Sequence, residues 1–339
     1  MVATDQLQAM PLAAAALAVA AALACAVLIL ALFPLLRRYA LARPNARSSH
    51  KVPTPQGGGI AIIAACLGAA VLSPLLGGPT VPVAVVGAAL LLAAIGTLDD
   101  LRPIPVLPRF ALQAVAVALV LVVLPAEFRI LPPLPLVLER GLAFFALVWF
   151  VNLTNFMDGL DWMTVAEMLP LTATLSVFAL IGTAPAAIAP VTLGLAGALV
   201  GFAPFNAPVA RLFMGDVGSL PIGLLVGWAL VLLAGAGHLA AALLLPLYYL
   251  ADATLTLLSR LRRGEKVWVA HRTHFYQRAT DHGFTVREVV GTVFALNLAL
   301  ATLAGLSVAL STVAADIVLL AVGTVAVATV LRRFGRKPA

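Results

Sequence analysis

Apolar runs of bilayer length follow one another through almost the whole 339-residue chain. They fall at about 11–36, 60–76, 82–98, 110–125, 134–156, 163–181, 185–203, 219–235, 238–258, 288–308 and 313–331. A helix needs roughly 20 apolar residues to cross a hydrocarbon core, and backbone exposed to lipid must satisfy its own hydrogen bonds. The pattern predicts an all-α polytopic membrane protein with about eleven transmembrane helices, a single domain over residues 1–339. A β-barrel would show alternating segments of about ten residues instead. The first run is too long for a signal-peptide core and has no basic segment ahead of it.

Composition agrees: 63% of residues are hydrophobic and only 10% charged, which excludes an ordinary soluble domain. A net charge of +7 raises the question of nucleic acid, but the placement of the basic residues points elsewhere. With the N-terminus outside and the C-terminus cytoplasmic, 19 of the 21 lysines and arginines fall on the cytoplasmic side, and only Arg129 and Arg140 on the other. That is the positive-inside pattern of membrane topology, with membrane lipid and not nucleic acid as the partner. Cys25 and Cys66 lie in apolar runs and read as packing residues.

The same segmentation gathers the reactive residues on one face. Asp99 and Asp100 end the third run, Asp158 and Asp161 end the fifth, and Asp216 precedes the eighth. His271 and His274 lie in the basic loop 259–287. A cytoplasmic-face cleft is the expected site. Its focus is the stretch Arg211–Ser219, where glycines 215 and 218 flank Asp216 and Val217. A carboxylate at a membrane boundary is costly unless something pairs with it, and glycines let backbone approach a ligand closely. Asp216 then reads as a ligand for a divalent metal carrying a phosphate; the alternative is a tight turn that Asp216 caps.

The other candidates each have a plain counterpart. Asp99 and Asp100 read as metal or phosphate handling, or as a solvated pair near Arg102. Asn152, Asn155, Asp158 and Asp161 recur every three residues, a polar stripe that lines a wet cleft or packs helices. Asn206 could bond a base or sugar and Phe213 could stack on a ring, though loop asparagines and interfacial phenylalanines are common. The basic run 260–266 would draw anionic headgroups or a diphosphate. His271, Arg272 and His274 sit among basic residues, which suits phosphate better than a metal, with a structural role as the remaining reading. Lys51 and Thr54 precede three glycines at 57–59, a candidate anion-binding turn. Asp252 either lines the cleft or pairs with a basic residue.

Together these motifs resemble the polyprenyl-phosphate N-acetylhexosamine-1-phosphate transferases, glycosyltransferase family 4 of the phospho-N-acetylmuramoyl-pentapeptide transferase-like superfamily, from about Ser48 to Arg278. The resemblance implies transfer of a sugar 1-phosphate from a UDP-sugar donor to undecaprenyl phosphate in the bacterial inner membrane, releasing UMP and needing Mg²⁺, with Mn²⁺ as a substitute. It implies catalytic roles for Asp99, Asp100, Asp158, Asp216, His271 and His274. It implies metal contacts by Asp216, Asn152 and Asp158, and substrate contacts by Lys51, Asn152, Asp161, Asn206, Phe213 and Arg272. It leaves room for a homodimer. Two features depart from the family pattern. The histidine motif reads His271-Arg-Thr-His274, not a run of adjacent histidines, which favours the branch that starts O-antigen chains over the pentapeptide branch. The basic residue after the acid pair corresponds to Arg102 or has no counterpart. A transporter of a lipid-linked or anionic substrate is the rival reading. It would show internal repeats and midplane polar groups, and the sequence shows neither.

Overall fold

A computed structural model describes residues 2–42, 52–269 and 271–337. Lys51 lies outside the described residues. The chain runs α1 (Val2–Tyr39), a short hairpin of β1 (Leu41–Ala42) and β2 (Thr54–Pro55), then α2 (Gly58–Leu72), α3 (Val83–Leu101), α4 (Val106–Val122), α5 (Leu136–Met157), α6 (Met163–Leu180) and α7 (Ala189–Phe202). It continues with α8 (Asp216–Gly235), α9 (Leu239–Leu244), α10 (Leu247–Arg262), α11 (Phe275–Asp281), α12 (Val286–Leu310) and α13 (Val313–Phe334). The strands pair antiparallel, Leu41 opposite Pro55 and Ala42 opposite Thr54.

The all-α membrane architecture stands, and of the eleven or so expected crossings a part are long, apolar helices. Among the described residues seven helices are long and apolar enough to cross a membrane: α1, α3, α5, α6, α8, α12 and α13. The second, fourth and seventh runs form the shorter α2, α4 and α7. The ninth run is split into α9 and α10 at Leu245–Pro246, where proline cannot donate its backbone nitrogen to a continuous helix.

The centre of the bundle is α8, nearly all of whose residues are buried. A helix that is apolar all round belongs inside. It packs against α3, α5, α2 and α9, and small residues set the approach. A Cβ on Gly59 would stand 2.3 Å from Gly218, and one on Gly96 would stand 2.3 Å from the Asp216 carbonyl oxygen. The backbones of α2 and α3 can therefore lie directly on the first turn of α8. This contact fixes where Asp216 sits.

The two basic residues on the far side are consumed by the fold. Arg129 pairs with the buried Glu139 at 2.8 Å, and Glu139 also accepts from the Ile130 nitrogen at 2.6 Å. Arg140 donates to the Pro125 and Phe128 carbonyls.

Candidate functional site

One concavity of about 870 Å³ opens at one end of the bundle. Its lining comes from the C-terminal ends of α3 and α5, the segments after α1 and α7, and the starts of α8 and α12. Asp100, Asp158, Asp161, Asn206, Phe213 and Asp216 all line it. Residues separated by more than 100 positions are thus brought to one face, because successive helices alternate direction and each acid stands at a helix end.

Asp100 holds the start of α8. Its carboxylate accepts from the backbone nitrogens of Asp216 at 3.1 Å and Val217 at 3.2 Å. These are among the N–H groups that no helix can satisfy internally. Gly215 makes room for this: its φ is 79°, and a Cβ there would stand 2.5 Å from an Asp100 carboxylate oxygen. Gln56 Nε2 ties the Asp100 carbonyl to the turn before α2 at 2.9 Å.

Asp99 turns the other way, accepting from the Ile104 nitrogen at 2.6 Å and from Arg109 Nη1 at 2.6 Å. Arg109, on the first turns of α4, also lies 3.6 Å from Asp216. It is a site residue that the sequence reading did not find. Asn155, expected only as a member of the polar stripe, donates its amide to Asp216 at 2.7 Å and to Ser219 Oγ at 2.9 Å. Asn152 does not reach Asp216. It donates to Gln113 of α4 at 2.9 Å and to the Val148 carbonyl at 2.8 Å, so the member of the stripe that faces the acid is Asn155.

Asp158 follows the last residue of α5 and accepts from Thr164 Oγ1 at 2.5 Å. Burial pushes its carboxyl up to about 7; the nearby Asp100 and Asp161 charges add to the effect and the Thr164 bond opposes it. Asp161 accepts from the Ala210 nitrogen at 2.9 Å. Asn206, expected on a base or sugar, has its polar atoms engaged in the fold: its oxygen accepts from the Trp162 nitrogen at 2.7 Å and its nitrogen donates to the Leu212 carbonyl at 2.9 Å. It braces the loop that presents Phe213. The Phe213 backbone nitrogen is held by the Pro55 carbonyl at 2.8 Å.

The histidine motif forms a separate packed unit and does not line the concavity. Asp252, fully buried, accepts from His274 Nδ1 at 3.2 Å and from the nitrogens of Phe275 and Tyr276 at 3.0 and 3.1 Å. It therefore pairs with a basic residue and caps α11 at once. His271 stacks on His274 with ring centres 4.9 Å apart. Desolvation, with the His274 and Arg260 charges, lowers its imidazole to about 4, so it is neutral at ordinary pH. Arg272 pairs with Asp281 at 2.8 Å. The unit joins the concavity through Gln277, which lines it, and through Tyr276, whose hydroxyl donates to the Phe156 carbonyl at 3.0 Å.

Among the described residues no three His, Cys, Asp or Glu side chains converge as a ready-made metal cage. Mg²⁺ does not require one, since it keeps several waters and takes one or two carboxylates plus phosphate oxygens. Arg109 Nη1 stands 2.6 Å from Asp99 and 3.6 Å from Asp216, and acids gathered around one point call for a cation or a proton between them. The donor set is hard, anionic and suited to such an ion.

A helical membrane protein with a carboxylate-lined concavity at one end of its bundle is a candidate for phosphate chemistry at a membrane surface. The profile of glycosyl transferase family 4 matches residues 82–234. The decaprenyl-phosphate N-acetylglucosaminephosphotransferase of Mycobacterium tuberculosis is 30% identical over 294 residues, 74% of this chain and 71% of that one. A Bacillus subtilis protein described as a probable undecaprenyl-phosphate N-acetylglucosaminyl 1-phosphate transferase is 26% identical over 281 residues, 78% of each chain. The phospho-N-acetylmuramoyl-pentapeptide-transferase of Leuconostoc citreum is 30% identical over 194 residues, 51% of this chain and 60% of that one. The chain belongs to glycosyl transferase family 4, the polyprenyl-phosphate N-acetylhexosamine-1-phosphate transferases.

Proposed function

We propose that this chain transfers an N-acetylhexosamine 1-phosphate from a UDP-sugar to undecaprenyl phosphate. An oxygen of the lipid phosphate attacks the sugar-bearing phosphorus of the donor, the bond to the other phosphate breaks, and UMP leaves. The observation that carries the reading is the convergence of Asp100, Asp158 and Asp216 on one concavity at the end of an apolar bundle. The barrier is the meeting of two anions, so charge neutralisation is the main task.

Asp216 and Asp158 are the residues to hold Mg²⁺, which when bound would neutralise the diphosphate oxygens. Arg109, between Asp99 and Asp216, is the cation nearest those acids for a phosphate. Asp100 fixes the start of α8. Phe213 and Asp161 form the nucleoside end, and the Asp252-anchored unit of His271, Arg272 and His274 backs the cleft through Gln277. The charge asymmetry of the loops supports a concavity on the cytoplasmic face of the bacterial inner membrane. The M. tuberculosis and B. subtilis relatives carry N-acetylglucosamine in their names, and the interrupted histidine motif speaks against a pentapeptide donor. On this reading the product starts a cell-surface glycan such as O-antigen.

The test is UMP release by purified protein from a panel of UDP-N-acetylhexosamines with undecaprenyl phosphate, with and without a chelator. Release that needs both the lipid phosphate and Mg²⁺ is expected. A folded, lipid-reconstituted protein that releases no UMP from any donor would overturn the reading.

A further inference from the structure

Four carboxylates line the concavity: Asp100, Asp158, Asp161 and Asp216. Among the described residues that line it there is one lysine or arginine, Arg287, on the first turn of α12. No residue of the family-like motifs accounts for it. A nucleotide diphosphate entering a space walled by carboxylates is repelled unless a fixed cation meets it.

We propose that Arg287 is a donor-recognition residue whose guanidinium hydrogen-bonds the nucleotide end of the UDP-sugar at the mouth of the concavity. The proposal rests on the function argued above and extends it to a residue and a substrate part.

Three features of the structure support it. The base of the side chain is firmly held, because the Glu288 nitrogen donates to Thr285 Oγ1 at 3.2 Å while the Glu288 carboxylate accepts from the Thr285 nitrogen at 2.7 Å. Val289 and Val290, next along the helix, are buried. The tip is aimed across the mouth: Nη2 donates to the Pro208 carbonyl at 3.2 Å, 79 residues away in sequence. Pro208 belongs to the loop that also presents Phe213 and, through Ala210, holds Asp161. Arg287 therefore stands with the nucleoside end of the site. A guanidinium carries five N–H donors and accepts nothing, so the Pro208 bond leaves donors for a ligand. Uracil carbonyls, ribose oxygens and the UMP phosphate are all acceptors, and the carboxylates around them cannot donate when ionised.

The acceptor lipid is the less suitable partner. In an in-line displacement the attacking oxygen and the leaving UMP lie on opposite sides of the transferred phosphorus. Arg109, beside Asp99 and Asp216, is a cation available on the reacting side. Arg287 is left for the departing nucleotide.

The experiment measures UMP binding, donor KM and acceptor KM for purified wild type, Arg287→Ala and Arg287→Gln, with thermal unfolding as the check on folding. Loss of a charge-assisted contact predicts UMP affinity and donor affinity weakened roughly ten- to hundred-fold in Arg287→Ala, with acceptor KM at the wild-type value. Glutamine can still donate to the Pro208 carbonyl but carries no charge, so Arg287→Gln should be as weak for UMP as the alanine variant. Full UMP affinity in Arg287→Gln would reduce the residue to a strut between α12 and the loop. An effect confined to acceptor KM would place it on the lipid phosphate. Either result overturns the proposal while wild-type turnover keeps the reaction itself intact. A folded wild type that binds no UMP overturns the proposal and the functional reading together.

Discussion

Asp100→Ala separates a residue that positions Asp216 from one that only handles substrate. The Asp100 carboxylate receives the backbone nitrogens of Asp216 and Val217 at 3.1 and 3.2 Å, on the long side for such bonds. Removing a helix cap typically costs about 1 kcal/mol. Removing a negative charge from a helix N-terminus costs roughly 0.3–1 kcal/mol more. With two N–H groups released at a half-buried end, a total of about 2 kcal/mol is expected. For a chain of several hundred residues that is a fall of roughly 2–4 °C in Tm. The two nitrogens belong to Asp216 and its neighbour, so the start of α8 should loosen and Mg²⁺ affinity should fall with it. Asp100→Asn keeps one acceptor oxygen and should recover part of both losses. Thermal unfolding and Mg²⁺ titration in detergent, on the same preparations, give both readouts. An Asp100→Ala protein with wild-type Tm and wild-type Mg²⁺ affinity would show that this carboxylate does not place Asp216.

Gly96→Ala should be severe for so small a change. The new Cβ would lie 2.3 Å from the Asp216 oxygen and 2.4 Å from the Val217 nitrogen; backbone yields little, so a loss of about 1–3 kcal/mol is expected, with transfer largely abolished, and near-normal UMP release would refute the close α3–α8 contact. His271 should make stability fall with acid. Its imidazole is lowered to about 4 against an ordinary value of 6.5, so the unfolded chain takes up the proton first, and stability present above the ordinary value is lost as pH drops towards the folded one. Chemical denaturation from pH 7 to pH 4 should show a shallower decline in His271→Gln, and identical slopes would contradict a neutral imidazole at this position.

The helical membrane class was legible because apolar run length and charge placement are bulk properties of the chain. The convergence of acids was legible for the same reason, since Asp99, Asp100, Asp158, Asp161 and Asp216 each stand at the end or the beginning of a run. Which stripe residue faces the site was not. Steps of three residues fall about 60° short of a full turn, so Asn152 and Asn155 look toward different neighbours, Gln113 on one side and Asp216 on the other. Arg109 was missed because it reaches Asp99 across the α3–α4 hairpin, a distance that helical periodicity within one segment cannot reveal. For Asn206 the sequence does not separate a ligand contact from a fold contact, because a loop asparagine offers a ligand and a backbone the same atoms. Pro246 carried a signal that an average over the ninth run hid.

The carboxylates can be ranked by what the fold already asks of them. Asp99 is spent on Arg109 and the Ile104 nitrogen. Asp100 is spent on the first turn of α8, and Asp161 takes the Ala210 nitrogen. Asp158 accepts one hydroxyl bond from Thr164, and burial raises its carboxyl to about 7. An arriving cation favours the ionised form of such a group and so offsets the desolvation that raised its value. Asp216 accepts a single amide bond from Asn155, with Arg109 at 3.6 Å and another acid close by. On the proposed function, Asp158 and Asp216 are the acids that take up the metal. A divalent ion with a phosphate on it would complete both, which is why binding of metal and of donor to this cleft should be mutually reinforcing.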